Sequence, residues 1–333
     1  SFFESLILRR LRAAGCNEVT VFVDPLGYRN SLIESQLIGA GSSYRVIPVS
    51  AGTGAFHLKF CFLKAASEKD PDCLLVGSGN LTFGGYGNNA ELLDVFLSSE
   101  QPGIFSAFAG VVDLLADMPN NPAAVSKAFR DLRQQVASGR PGQVTDDTVR
   151  LACSLEAPIA QSVASEARQL GACRRITLLS PYFESLKAVE DLWSALGKPE
   201  LRIALPDDDR QISRFPFAKA KAAGLPVKAV AAKPPFERPF HAKLLEVQCE
   251  RGVLLVSGSA NATVPALWGQ DNVELAVLCR LTPRATRPIS WEAAEVPADI
   301  EIPPLASSQI QTACLFAEIT ENGHLAGHIV NAR

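Results

Sequence analysis

Two copies of one ordered set of short motifs, displaced by about 180 residues, constrain this chain more than anything in its composition. The first copy is FHLK at 56–59, GSGN at 77–80 and NAE at 89–91; the second is FHAK at 240–243, GSAN at 258–261 and NVE at 272–274. The segments around them repeat in the same order. EVTVFVDP leads to a helix, then to YRVIPV, FHLKFCFL, DCLLVGSGN and AELLDVFL. RRITLLSP leads to a helix around Leu186 to Leu196, then LRIALP, a helix near Phe217 to Ala223, PVKAVAA, FHAKLLEVQ, GVLLVSGSAN and VELAVLC. The apolar and β-branched runs are strand-length, and strands alternating with helices imply α/β layering. The predicted fold is therefore two pseudo-symmetric halves, each a mixed β-sheet flanked by helices, followed by a short C-terminal β extension.

Between the halves, Ile104, Phe108, Val111 and Leu115, and then Val125, Phe129, Leu132 and Val136, recur at helical spacing on either side of a stop at Asn120, Asn121 and Pro122. They read as bridging helices that close the first half, 1–143, at the run ASGRPGQ (137–143). The second half spans 144–281, and 282–333 begins as a Pro-rich linker. Its last residues, QTACLFAEI and HLAGHIV around Glu321, Asn322 and Gly323, form a hairpin pattern that reads as the start of a further β module of a longer chain.

With 333 residues and 47% hydrophobic content, the chain can bury a large core. No apolar run approaches the roughly 18 to 20 residues that cross a bilayer, so no membrane span is expected. The opening SFFESLILRRLRAAG is an arginine-bearing amphipathic pattern and not an export signal. Eight scattered cysteines lack the close pairs of a zinc site and the density of a disulfide scaffold, which points to buried thiols in a reducing cytoplasm. The net charge of −3 excludes a uniformly basic surface. Locally, Arg202, Arg210, Arg214, Lys219, Lys221, Lys228, Lys233, Arg238, Lys243 and Arg251 outnumber the acids among them; a solvated charged face is the plainer reading and a phosphate-attracting surface the sharper one.

On alternating strand positions His57 and Lys59 would share a face, as would His241 and Lys243, so that each pair could address one phosphate. Phosphodiester cleavage needs a nucleophile, an acid for the departing oxygen and donors for the remaining oxygens, and the motifs supply all three residue types without a metal or cofactor. HxK followed by GSxN, present twice, resembles the signature of the phospholipase D superfamily. That resemblance implies that the two motifs meet across a pseudo-twofold axis, that one histidine becomes a phosphohistidine, and that the other protonates the leaving group and then activates water. It makes His57 and His241 that pair, with the nucleophile's role given to His57. It makes Lys59, Lys243, Asn80 and Asn261 holders of phosphoryl oxygens, with Ser78 and Ser259 as further donors. It places Glu91 and Glu274 where a carboxylate orients a histidine. The superfamily's fuller motif carries Asp five residues after each lysine, whereas Lys64 and Gln248 stand there. That aspartate is often missing from the nucleic-acid enzymes, including tyrosyl-DNA phosphodiesterases and metal-independent restriction endonucleases, so the resemblance shifts toward a nucleic-acid substrate.

A single histidine on a strand is usually structural, and a single GSGN is usually a turn; the paired recurrence is what argues for chemistry. His324 and His328 flank glycines that disfavour a metal-binding helix and read as surface residues. Tyr28, Arg29 and Tyr182 follow strand ends and read as packing or exposed residues before substrate contacts. Phe83 and Tyr86, just beyond GSGN, either stack a substrate base at the rim or pack into the core. The leading reading is a cytoplasmic nuclease, such as the effector of a bacterial antiviral defence or restriction protein. The alternatives are a phospholipase or phosphatidyl transferase, and an inactive scaffold that binds nucleic acid or a partner ATPase.

Overall fold

The computed structural model describes residues 2–34, 37–119, 121–137, 148–205, 215–233, 238–296, 312–319 and 325–332. A π-helical stretch, Phe3–Leu8, runs into α1 (Arg9–Ala13). There follow β1 (Thr20–Val23), α2 (Pro25–Glu34) and β2 (Arg45–Pro48), the two strands pairing in parallel. An antiparallel sheet is then formed by β3 (Phe60–Leu63), β4 (Cys73–Gly77) and β5 (Leu93–Leu97). The bridging helices are α3 (Pro102–Ala116), which starts on a proline whose fixed φ suits a first turn, and α4 (Ala123–Ala137).

The remaining elements are β6 (Val149–Cys153), α5 (Ile159–Gln169), β7 (Cys173–Leu179), α6 (Lys187–Ala195), β8 (Glu200–Ala204), α7 (Phe217–Ala222), β9 (Val227–Lys233), β10 (Leu244–Cys249), β11 (Val253–Gly258), α8 (Val264–Leu267), β12 (Leu275–Leu281) and β13 (Ser290–Ala293). Among the described residues they build one eight-stranded mixed sheet in the order β13-β9-β8-β7-β10-β11-β12-β6, with β7, β8 and β9 parallel. A last antiparallel pair, β14 (Thr312–Ile319) and β15 (Leu325–Ala332), matches the hairpin pattern of the tail; its turn lies outside the described residues. So do the boundary run after Ala137, Arg210, Arg214 and His324.

The mixed α/β architecture agrees with the sequence, but the two halves do not carry equal sheets. The strands of the first half divide into a parallel pair and a separate three-stranded sheet, while the second half keeps all of its strands in one. Two strands of that sheet were not foreseen. β6, with α5 after it, precedes RRITLLSP, and β13 arises inside the stretch read as linker, where Trp291 pairs against Ala232 of β9. The FHxK segments also differ from expectation. Regular strand begins only at Phe60 and Leu244, one residue after each lysine, so the histidines and lysines sit on lead-ins ahead of the strands.

The expected bridging faces are buried. Phe108 and Phe129 are fully enclosed and pack with Leu74 and Val76 of β4, and also with Cys153, Val273, Leu275 and Val277 from the second half. One core thus spans the junction, and each such side chain contributes roughly 1.5–3 kcal/mol by its burial.

Candidate active site

Backbone pairing across the junction brings the motifs together. The N–H of His57 donates to the Val273 carbonyl (3.0 Å) and that of His241 to the Ala90 carbonyl (3.0 Å), so each histidine is fastened beside the other half's glutamate. Asp24 Oδ2 accepts the Phe56 N–H at 3.0 Å and Asn272 Oδ1 accepts that of Ala55 at 2.9 Å, fixing the approach to His57.

The GSxN motif explains itself locally. Ser78 N–H donates to Leu92 O, and Ser259 N–H to Leu275 O, both at 3.0 Å. A Cβ on Gly77 would lie 2.8 Å from Leu92 O, and one on Gly258, whose φ is +137°, would lie 2.3 Å from Leu275 O. Only glycine lets the glutamate-bearing strand approach this closely. Each serine hydroxyl then accepts the next backbone N–H, Leu92 at 2.9 Å or Leu275 at 3.0 Å, and donates to the glutamate of its own half.

The carboxylates cross over to the histidines. His57 Nδ1 donates to Glu274 at 2.9 Å, and His241 Nδ1 donates to Glu91 at 2.6 Å. In each case Nε2 is the ring nitrogen left for chemistry. Burial alone would raise the Glu91 carboxyl, but the hydrogen bonds from His241 and Ser78 and the charge of Lys243 outweigh it and hold the group below the usual carboxylate range. Glu274 is completely buried.

Lys59 Nζ donates to His57 O at 2.8 Å. Lys243 Nζ donates to Ser78 O (3.2 Å) and His241 O (3.1 Å), and lies 3.2 Å from His241 Nδ1. Burial pushes Lys59 down to about 7, against the opposing charge of Glu274 and with help from Lys243; burial likewise holds Lys243 down to about 8. Asn80 is exposed, whereas Asn261 is partly buried and its Oδ1 has no hydrogen-bond partner among the described residues.

The hydroxyls of Ser78 and Ser259, expected as phosphate donors, turn inward. Both residues are fully buried and their hydroxyls donate to Glu91 and Glu274. Phe83 and Tyr86 are exposed at the turn after GSGN; the Phe83 ring meets Phe2 edge-on, and Tyr86 lines a cavity shared with Lys59 and Glu91. Where the superfamily's aspartate would stand, Lys64 pairs with Asp72 at 2.9 Å, and Gln248 lies on β10 with a buried, unpartnered Oε1 among the described residues. The local basic cluster is partly neutralised: Arg202 and Lys228 share Glu200, and Lys233 pairs with Glu292. Seven described cysteines are free thiols, of which only Cys153 and Cys249 are buried. No described helix is long and apolar enough to cross a membrane, and no group of three or more described His, Cys, Asp or Glu side chains is placed to hold a metal ion.

Sequence reasoning missed the crossing of the glutamates, which depends on how the halves dock. It also undervalued Tyr182, whose ring stands perpendicular to that of His241 with centroids 6.0 Å apart.

No protein-family model and no curated protein sequence matches the chain. Solved structures do. Yeast tyrosyl-DNA phosphodiesterase is similar with a TM-score of 0.51 at 9% identity over 79% of this chain and 78% of that one. A phosphatidylserine synthase of Haemophilus influenzae Rd KW20 is similar with a TM-score of 0.50 at 14% identity over 84% of this chain and 72% of that one. With both HxK and both GSxN motifs gathered at the junction of its halves, the chain has the fold of the phospholipase D superfamily.

Proposed function

We propose that this chain is a phosphodiesterase that cleaves nucleic acid through a covalent phosphohistidine, with His57 as nucleophile and His241 as general acid and then base. The observation that carries this reading is the reciprocal pairing of each histidine's Nδ1 with the opposite half's glutamate. A carboxylate on Nδ1 fixes the tautomer, aims Nε2 and stabilises the imidazolium.

In the first step His57 Nε2 attacks phosphorus; the P–N bond forms, the P–O bond breaks, and the departing oxygen takes the proton from His241 Nε2. In the second, neutral His241 removes a proton from water, whose oxygen attacks phosphorus and displaces His57, leaving a phosphomonoester. Lys59, Lys243, Asn80 and Asn261 hold the non-bridging oxygens. A phosphate anion favours the charged lysines, so substrate binding restores the ammonium forms that burial disfavours.

Nucleic acid is the favoured substrate because the superfamily's aspartate is replaced in both halves, one of the similar structures is named for a tyrosyl-DNA substrate, and Phe83 and Tyr86 are exposed beside the motif. The likeness to a phosphatidylserine synthase makes phosphatidyl transfer the second reading.

The test is cleavage of labelled single- and double-stranded DNA and RNA in excess EDTA by the wild-type chain, His57→Ala and His241→Ala, with phosphatidyl vesicles in parallel. Cutting that survives chelation and drops by at least about 10³-fold in both variants is the expected result. Turnover of vesicles alone moves the assignment to lipid. Turnover of neither makes the chain a binding scaffold.

A further inference from the structure

Cys173 and Cys249 meet inside the eight-stranded sheet, at the end of their strands remote from the histidines. Cys173 opens β7 and Cys249 closes β10, whereas His241 and Lys243 precede the other end of β10. The two strands are neighbours where the sheet changes from parallel to antiparallel. Their register runs evenly from Leu244 opposite Leu179 to Gln248 opposite Arg175; it then skips Arg174, so that Cys249 stands opposite Cys173. A bulge sets two residues of one strand against one of the other, and here it brings thiol opposite thiol. Just beyond, Glu250 N–H donates to Ala172 O (3.1 Å) and Ala172 N–H donates to Glu250 Oε2 (3.2 Å), which holds this register.

The two Sγ atoms are 3.5 Å apart. Opposed residues of an antiparallel pair have Cα atoms about 4.5–5.5 Å apart, inside the roughly 4.4–6.8 Å that a disulfide spans, so side-chain rotation can close the gap. Cys61 and Cys73 are the contrasting pair. They stand opposite Leu75 and Leu63, which makes them diagonal neighbours at about 7–8 Å, beyond that span.

The two facing thiols are not equivalent. Cys173 is partly exposed between the exposed Ala172 and Arg174, whereas Cys249 is buried, with Ala167 O as a further acceptor at 3.7 Å. The hydrogen bond from the Cys249 thiol favours a thiolate at Cys173 and holds that group below the ordinary cysteine value; the same bond, with burial, pushes Cys249 up. Cys173 is thus the thiol that solvent reaches, and Cys249 waits behind it.

We propose that Cys173 and Cys249 are a thiol–disulfide modification site, a staple across the second half that closes when the chain meets a small disulfide oxidant such as oxidised glutathione. The Cys173 thiolate attacks one sulfur of the oxidant; a mixed disulfide forms, and one glutathione thiolate leaves and takes up a proton. Cys249 then releases its proton and attacks Cys173 Sγ, which forms the Cys173–Cys249 bond and expels the second glutathione. Two protein thiols are oxidised and one glutathione disulfide is reduced to two thiols. The link closes the chain from 173 to 249, with β8, α7 and β9, into a covalent loop and so restricts the unfolded state. The staple is independent of what the histidines cleave.

The test is incubation of the full chain in graded mixtures of reduced and oxidised glutathione, then alkylation of free thiols, peptide mapping without reductant, and calorimetry. The expected result is a linked Cys173–Cys249 peptide, Cys61 and Cys73 alkylated, and a Tm raised by roughly 5–10 °C that reductant reverses. Cys249→Ser keeps the entering thiol and should stop at glutathione on Cys173. Cys173→Ser should leave Cys249 free, and neither variant should show the rise in Tm. A folded wild-type chain that gives no linked peptide in fully oxidised glutathione overturns the proposal, as does a link that forms only in urea. A linked chain whose Tm is unchanged or lowered overturns the stapling, because the bond then strains the native sheet as much as it restricts the unfolded chain.

Discussion

Beside Lys243 a cavity of about 30 Å³ lies among Ile159, Val163, Val256 and Leu267, whereas beside Lys59 a larger and more open one of about 210 Å³ lies between Cys61, Leu75, Tyr86 and Leu93. The difference lies in what covers the sheets. In the second half α5 lies over β11 and β12, and Ala276 and Leu278 are 1% and 2% exposed. Their counterparts on β5, counted from the paired glutamates, are Leu93 and Val95, at 49% and 55%. Yet the serine–glutamate–histidine chains at the two sites are alike. The site geometry thus depends on the glycine-permitted strand approach and the cross-half backbone bonds, and equal cores beneath it are not required.

The largest effect that can break this comparison is on stability. Leu254, fully buried on β11, should lose about 2–5 kcal/mol on substitution by alanine, because the packed surroundings leave a cavity. Val95→Thr, on the exposed face of β5, should stay within about 0.5 kcal/mol. Urea unfolding of the two variants checks both. A comparable loss from Val95→Thr would mean that this face is covered in solution, and the contrast between the halves would fall.

How much of this was legible in the sequence depended on the range of the interaction. The α3 and α4 faces followed from Phe108 and Phe129 at helical spacing, because a helix buries one stripe whatever it packs against. The residue types gathered at the junction followed from motif recurrence. The crossing of Glu91 to His241 and of Glu274 to His57 was hidden, since it joins residues 150 and 217 positions apart through the docking of two sheets. The direction of the serine hydroxyls was hidden for a related reason: a hydroxyl in a loop motif can turn outward to an anion or inward to a carboxylate, and the inward turn accompanies the close strand approach at Gly77 and Gly258. β13 was masked by the prolines and charges around it, while its pairing with β9 is non-local.

A smaller effect sharpens the comparison at the site. Glu274→Gln and Glu91→Gln keep shape but weaken the hold on Nδ1, and each should reduce kcat about 10- to 100-fold. If His57 attacks and His241 donates the proton, the loss from Glu91→Gln should shrink on a p-nitrophenyl diester, and that from Glu274→Gln should not. Exchange of the two sensitivities would exchange the two histidines' roles while leaving the reciprocal geometry intact.

The smallest expected effect concerns the open half's lysine. Burial holds the Lys59 ammonium down to about 7, and unfolding returns it to the ordinary lysine value of 10.5. Between those values the unfolded chain binds the additional proton, so this residue makes the folded state gain stability as pH rises from about 7 toward 10.5 and lose it as pH falls through 7. Lys59→Met removes the buried charge. It should therefore raise Tm by about 2–4 °C at pH 6 and by less at pH 9, while abolishing turnover. Lys243→Met should behave in the same direction with its crossover near pH 8, the value to which burial lowers that ammonium. Calorimetry at both pH values checks the pair. A Tm gain that is independent of pH would mean that the 210 Å³ beside Lys59 hydrates its charge well enough to cancel the burial, and that the open half tolerates its cation better than the packed half does.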